Sequence, residues 1–266
     1  MSKDTHLFVS EAFYSIQGEG ITQGKPSYFI RLSGCNLECG STQENISKAR
    51  KENWSQEKVI ENIMPTASWV CDSIAVWLHG TKMSFDEVIK HLGDKIFIDN
   101  ISNDANIIFT GGEPLLHQQA IINFVNYIEQ QYKIKPTVEI ETNGTILPSK
   151  EFADIVTLWN VSPKLSNSGM SYERRINNVA LQFFADVNVF SIFKFVVKTH
   201  EDFLEIINEY IGPHNLPTEK IYLMPAADNR QDLIEVSRAI AEICLCYNFK
   251  FSNRLHLMIW DQKTGV

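Results

Sequence analysis

The stretch NIIFTGGEPLLHQQAIINFVNYIEQQY, residues 106–132, decides the fold. Its opening residues are apolar and β-rich, a Gly-Gly-Glu-Pro break follows, and Ile121, Phe124, Val125 and Ile128 then recur at helical spacing. This is a strand–loop–helix unit, and similar units follow it. Strands are expected at 106–110, 137–141, 157–162, 190–197, 220–224 and 254–259, with helices over 117–132 and 201–211. Such alternation predicts an α/β protein, a parallel sheet with helices packed outside it. Upstream, further strands are expected at 7–13 and 27–32, joined by the glycine-containing loop SIQGEGITQGKP. Ser84 and Glu87 have capping-box spacing ahead of Val88, Ile89 and Leu92.

In a parallel sheet or barrel, ligands bind where the C-terminal ends of the strands run into loops. The polar signatures of this chain fall there: Thr110-Gly111-Gly112-Glu113-Pro114, Glu141-Thr142-Asn143-Gly144, Ser162-Pro163-Lys164 and Met224-Pro225. Each is also an ordinary turn sequence. Four at the same edge of one sheet predict a pocket.

Cys35 and Cys39 lie close together in SGCNLECG, and Cys71 follows much later in SWVCDS. Three thiolates without a fourth nearby suggest a metal site with an open position, because closed structural zinc sites use four ligands and a 4Fe-4S cluster on three thiolates leaves one iron free. The spacing alone also suits unrelated buried thiols, or a zinc-stabilised binding module on Cys35, Cys39, Cys71 and His79. Cys244 and Cys246, in the apolar run AIAEICLCYNF, read as core residues. Five cysteines are an odd number for a disulfide framework.

The 266 residues are 44% hydrophobic and 21% charged, enough for a substantial core. A formal charge of −8 argues against a surface built to neutralise phosphates, so no nucleic-acid partner is expected. The N-terminus MSKDTHLFVSEAF lacks a signal-peptide core and no stretch is apolar enough to span a bilayer, so a cytoplasmic protein with no membrane partner is expected. Residues 40–70 turn polar and offer little to bury; they read as an insertion on the rim of the site, with a short helix near 57–64. One domain over 1–266 is the simplest organisation.

Taken together, EAFYSIQGEG at 11–20, a strand ending in Arg31, GCNLEC, CDS at 71–73, TGGEPLL, ETNGT, SPK, KFVV, LMP and RLHLMIW resemble radical S-adenosylmethionine enzymes, and most closely the 7-carboxy-7-deazaguanine synthase family. The glycine motif and the cysteine triad are general to the superfamily; SIQGEG and the terminal RLH are more selective. They argue against a glycyl-radical-enzyme activase. The implied fold is a partial (β/α) barrel of the radical S-adenosylmethionine type, an open parallel sheet with outer helices, and residues 40–70 become an insertion inside the cluster loop.

The resemblance implies that Cys35, Cys39 and Cys71 hold a 4Fe-4S cluster whose open iron takes the amine and carboxylate of S-adenosylmethionine. Gly111 and Gly112, with unobstructed amides, together with Glu141, Asn143, Ser162, Lys164 and Met224, are implied to bind that cofactor. The implied substrate is 6-carboxy-5,6,7,8-tetrahydropterin, met by Gln17, Glu19, Arg31, Asp72, Thr110 and His256. Arg31 offers a bidentate fork for its carboxylate. The implied reaction is removal of hydrogen from C6, ring contraction and loss of ammonia to give 7-carboxy-7-deazaguanine for 7-deazapurine biosynthesis, with no protein acid or base assigned. Mg2+ is implied at Ser73, which stands where threonine is usual, and an electron donor such as a flavodoxin and a homodimer are implied as well. Val70 replaces the usual aromatic residue before the third cysteine.

Overall fold

Nine strands form one sheet in a computed structural model that describes residues 5–63 and 65–263. They are β1 (His6–Ile16), β2 (Pro26–Leu32), β3 (Thr81–Ser84), β4 (Asn106–Gly111), β5 (Thr137–Thr142), β6 (Leu158–Val161), β7 (Phe190–Val197), β8 (Ile221–Pro225) and β9 (Lys250–Phe251). The order is β3-β1-β2-β4-β5-β6-β7-β8-β9. From β2 onward every neighbouring pair is parallel, whereas β1 runs antiparallel to both β2 and β3. This is the mostly parallel open sheet expected from the strand–loop–helix repeats.

Alternation along the strands separates two environments. One face meets the outer helices in a large core that includes Tyr28, Ile30, Phe109, Phe124, Val138, Ile140, Trp159 and Phe195. The other face is polar for a protein interior, since Arg31, Glu139, Glu141, Asn160 and Lys194 stand on it among Phe13, Phe29 and Ile108. A bulge at Ser10 produces this on β1. Val9 pairs with Leu32 and Glu11 with Arg31, so one extra residue moves the alternation across. Leu7 and Val9 therefore point into the helix layer, while Glu11 and Phe13 emerge opposite Arg31 and Phe29.

The helices begin where the sequence provides caps. Ser84 and Glu87 form the full reciprocal capping box of Phe85–His91, and Glu113 caps a 3-10 turn at Pro114–His117 before the helix Gln118–Tyr132. The second expected helix is irregular: His200–Glu205 continues as a π-helical segment, Ile206–Ile211.

Several expectations are corrected. Residues 254–259 are not a strand; Leu255–Trp260 is a helix. Leu255, Leu257 and Ile259 have strand spacing, but the sheet edge is taken by Lys250–Phe251, paired with Tyr222 and Leu223, and the chain then turns back across the strand ends. Residues 40–70 bury more than their polarity suggested. Two helices, Gln43–Lys51 and Gln56–Asn62, place Ile46, Ala49, Trp54 and Val59 in a small core with Ile74, Ala75, Trp77 and Leu78. The expected helix end at Met64 lies outside the described residues. Cys244 is buried but Cys246 is exposed, because residues two apart on the helix Arg230–Tyr247 point to opposite sides. Among the described residues, no helix is long and apolar enough to cross a membrane.

Candidate active site

A cavity of about 500 Å³ opens at the C-terminal ends of the parallel strands. Every site residue expected from the sequence lines it: Gln17, Glu19, Arg31, Cys35, Cys39, Cys71, Asp72, Ser73, Thr110, Gly111, Gly112, Glu141, Asn143, Ser162, Lys164, Met224 and His256. Burial there reflects how strand ends, the cysteine loop and the C-terminal helix converge.

The cysteine loop leaves β2 through Gly34 and, after residues 40–70, returns at Cys71, whose N–H donates to the Cys39 carbonyl at 3.1 Å. That return is fastened further back by Gly40 N–H to Ser168 O at 2.7 Å and Trp69 N–H to Asn167 O at 3.1 Å. Gly40 permits it, since a Cβ there would lie 2.4 Å from Val70 Cα. Cys35, Cys39 and Cys71 thus share one apolar cluster with Leu37, Trp69 and Met170. Burial pushes Cys35 and Cys71 up to about 12, helped at Cys35 by Glu113 and at Cys71 by Asp72, and it raises Cys39 as well. Without metal these are protonated, poorly nucleophilic thiols, and loading them with metal must release protons.

Three thiols line one cavity, the donor type that a 4Fe-4S cluster takes. His79, the fourth ligand of the zinc alternative, is instead hydrogen-bonded through Nε2 to Trp54 O at 2.8 Å. The aromatic residue beside the triad is Trp69 rather than residue 70; it lines the cavity and carries Lys164 Nζ 5.4 Å from its ring centre.

Gly111 and Gly112 line the cavity, but the Gly112 amide is not unobstructed as expected, and the pair has a packing role besides. The Gly112 N–H is not open but donates to Leu32 O at 3.0 Å, and Glu113 N–H donates to Gly34 O at 2.9 Å. A Cβ on Gly112 would lie 1.7 Å from Gly34 O. The glycines therefore let the β4 loop pack backbone to backbone against the cysteine loop. Glu113, fully buried, accepts from Thr142 Oγ1 at 2.7 Å, Asn143 N–H at 2.8 Å and Leu115 N–H at 3.1 Å, tying the β4 loop to β5.

Asn143 sits within that lattice. Its Oδ1 accepts from Thr145 N–H at 2.9 Å, the turn-asparagine pattern, while Nδ2 donates to Asn36 Oδ1 at 2.9 Å in the cysteine loop. Lys164 is half-buried rather than a solvated lysine, and it donates to Ser162 Oγ at 3.2 Å. Glu141 accepts from Gln17 Nε2 at 3.1 Å and Thr110 Oγ1 at 2.8 Å.

The loop SIQGEG plugs the interior of the sheet. Gln17, 2% exposed, spends its amide on Glu139 at 3.0 Å and Glu141 at 3.1 Å, while its Oε1 accepts from Glu19 N–H at 3.1 Å. Gly18 is required because a Cβ would lie 2.3 Å from His256 Nδ1; Gly18 O accepts from Leu255 N–H at 2.8 Å. Glu19 is salt-bridged to Lys194 Nζ and to Arg254 Nε at 3.3 Å. Burial works to raise its carboxyl, but Lys194, Arg254 and His256 outweigh that and hold it well below the carboxylate range. Burial lowers His256 despite the pull of Glu19, leaving the imidazole uncharged at neutral pH. Arg31 lies 3.2 Å from Glu11 and 5.4 Å from the Phe13 ring centre.

Sequence reasoning passed over Glu113, Glu139, Lys194 and Arg254 as individual site residues. A lysine inside the apolar strand FSIFKFVV and an arginine opening RLH were the available signals.

Known proteins resemble this chain in sequence and in fold. A family profile described as a 4Fe-4S single cluster domain matches residues 16–162. A protein named 7-carboxy-7-deazaguanine synthase from Pyrobaculum aerophilum is 28% identical over the whole of both chains. One of that name from Clostridium acetobutylicum is 30% identical, covering 82% of this chain and 80% of its own. In fold, the chain is similar to the crystal structure of QueE from Escherichia coli, with a TM-score of 0.58, 23% identity and coverage of 94% and 95% of the two chains.

Proposed function

This chain belongs to the 7-carboxy-7-deazaguanine synthase family, and we propose that the cavity at its strand ends is where the ring of 6-carboxy-5,6,7,8-tetrahydropterin is contracted. The enzyme is a lyase of the radical S-adenosylmethionine type, converting a pterin to 7-carboxy-7-deazaguanine with loss of ammonia. One observation carries the placement: three thiols far apart in sequence line the same cavity as the polar strand ends and the SIQGEG loop.

In this reading Cys35, Cys39 and Cys71 hold the 4Fe-4S cluster, and Gly111, Gly112, Glu141, Asn143, Ser162, Lys164 and Met224 surround S-adenosylmethionine. When bound, cluster and cofactor supply the radical that takes hydrogen from the substrate. The chain supplies binding, orientation and exclusion of water. Arg31 receives the substrate carboxylate; Glu11 and the Phe13 face fix the angle of its guanidinium. Glu19, kept ionised by its cationic neighbours, accepts ring N–H groups, and neutral His256 faces the same space. Gln17 holds Glu19 and Glu141 in place, because its amide is already committed to protein partners. Thr110 acts similarly through Glu141. Phe13, Phe29, Trp69, Trp77 and Met224 form the apolar walls.

Mg2+ is assigned to the Ser73 hydroxyl and substrate oxygens. The Ser73 hydroxyl donates to Asp72 Oδ1 at 3.0 Å, which leaves its oxygen lone pairs available to a hard cation. The same proposal includes a flavodoxin-like electron donor, a cytoplasmic location, a homodimer and a single domain with residues 40–70 inserted in the cluster loop. The test is mass analysis of anaerobic reactions of the reconstituted enzyme with the carboxytetrahydropterin, S-adenosylmethionine, reductant and Mg2+. The expected product is 7-carboxy-7-deazaguanine; unchanged pterin beside consumed S-adenosylmethionine would remove the substrate assignment.

A further inference from the structure

We propose that Arg254 is a positioning residue that locks the Asp72–Ser73 segment, just past the third cysteine, to the loop carrying Gln17 and Glu19. Its three guanidinium nitrogens reach three separate parts of the chain. Nε donates to Glu19 Oε1 at 3.3 Å, Nη2 to Asp72 Oδ2 at 3.2 Å, and Nη1 to the Ala227 carbonyl. The Arg254 and Glu19 side chains are 14% and 15% exposed, so their charge-assisted contact is partly desolvated, whereas Asp72 is 66% exposed and meets Arg254 at the solvent-facing rim.

Backbone bonds from Gly40, Trp69 and Cys71 fasten the returning cysteine loop, and beyond it Trp77 N–H to Ser73 O at 2.9 Å and Gly34 N–H to Trp77 O at 2.8 Å fasten the following turn of helix, so the Asp72 side chain lies between two anchored points. The Asp72 carboxylate is held by Arg254 and by the neighbouring Ser73 hydroxyl. Arg254 is in turn fixed from its own side. Its N–H donates to Asn253 Oδ1 at 2.8 Å, and the next residue's N–H is bonded to Gly18 O. A guanidinium committed in this way is not a free fork for a ligand anion. It joins the Glu19 carboxylate to the Asp72 carboxylate, and through Asp72 to the Ser73 hydroxyl, so one side chain couples the metal side of the cavity to the pterin side.

This inference rests on the proposed roles of Ser73 and Glu19, and its test separates the two. Amide exchange over 72–77 is measured in the unloaded protein, and the Mg2+ activation constant in the reconstituted enzyme, for Arg254→Met, Arg254→Lys, Asp72→Asn and the Arg254→Met/Asp72→Asn pair. Arg254→Met is expected to speed exchange over 72–77 while that of β4 and β5 is unchanged, and to raise the Mg2+ constant about tenfold. Arg254→Lys recovers part of the loss, Asp72→Asn gives a smaller effect than Arg254→Met, and the double variant is no worse than Arg254→Met alone, because the Asp72 contact is one of the three that Arg254 makes. Unchanged local exchange, a loosening spread over the whole sheet, or effects that multiply in the double variant would each overturn the role. If Arg254→Met does not fold, Arg254→Lys and Asp72→Asn carry the comparison. Wild-type enzyme inert toward the pterin defeats the parent reading, whereas active wild type with variants like it defeats only this one.

Discussion

Replacing Gly112 by alanine puts a methyl group where the cysteine loop already is. The new Cβ would lie 1.7 Å from Gly34 O, 2.5 Å from Gly34 C and 3.3 Å from Cys35 N. A comfortable carbon–oxygen contact is about 3.3 Å, so the Gly34 carbonyl must retreat by roughly 1.6 Å. Both neighbours are backbone, and no side-chain rotation relieves them. The retreat breaks Gly112 N–H to Leu32 O and Glu113 N–H to Gly34 O, a loss of about 1 kcal/mol each. Overpacking adds about 1–3 kcal/mol, so the variant should be destabilised by about 3–5 kcal/mol. Gly24 is the control: it has φ +87° but nothing within 4 Å of its ideal Cβ, so Gly24→Ala pays only the left-handed backbone penalty, about 1–2 kcal/mol. Urea unfolding of the unloaded proteins, followed by iron per chain after reconstitution, measures both. Gly112→Ala should also lose iron, because Cys35 is displaced with Gly34. Equal destabilisation of the two variants, with full iron in both, would refute the close-packing account of the Gly-Gly pair.

Two further outcomes follow from the SIQGEG plug. Gly18→Ala drives a methyl into His256, with Nδ1 at 2.3 Å and the backbone N at 3.2 Å, so kcat/KM should fall, by about 100-fold for a displacement on the order of 1 Å; activity within twofold of wild type would remove His256 from the site. Burial, and then the charge of Glu141, raise the Glu139 carboxyl above 4.5, so the folded state binds its proton more tightly than the unfolded chain does. Wild-type stability should therefore fall as pH rises from 4.5 through the folded value of Glu139, and Glu139→Gln should flatten that decline. Glu19 is shifted the other way; its stabilisation is lost only as pH falls below 4.5, outside this window. Urea midpoints from pH 4.5 to 7 decide it, and equal slopes in the two proteins would contradict the assignment.

The sheet was legible because its strands are apolar runs bounded by turn residues, and the site because those turns carry Gly-Gly-Glu, Thr-Asn-Gly and Ser-Pro-Lys at one edge. What escaped depended on contacts that local pattern does not encode. LHLMIW fits strand spacing as well as a helix, and only occupation of the sheet edge by Lys250–Phe251 settles it. Residues 40–70 looked unable to bury much because their apolar residues are sparse, but Trp54 and Ile46 pack with Ile74, Trp77 and Leu78 beyond the third cysteine. Ser10 is a serine among strand residues; the bulge that turns Glu11 and Phe13 toward Arg31 and Phe29 appears only in the pairing with β2. Lys194 and Arg254 gain their meaning from Glu19, which is remote from both in sequence.

In the proposed function Cys71, though remote in sequence, completes one cluster with Cys35 and Cys39. Iron content and the electron paramagnetic resonance of the reduced protein, compared between wild type, Cys71→Ala and the exposed-site control Cys246→Ala, test it most directly. Wild type and Cys246→Ala should each carry about four irons per chain and a reducible cluster, and Cys71→Ala should lose it. A full, reducible cluster in Cys71→Ala, or zinc in place of iron in the wild type, would contradict the account.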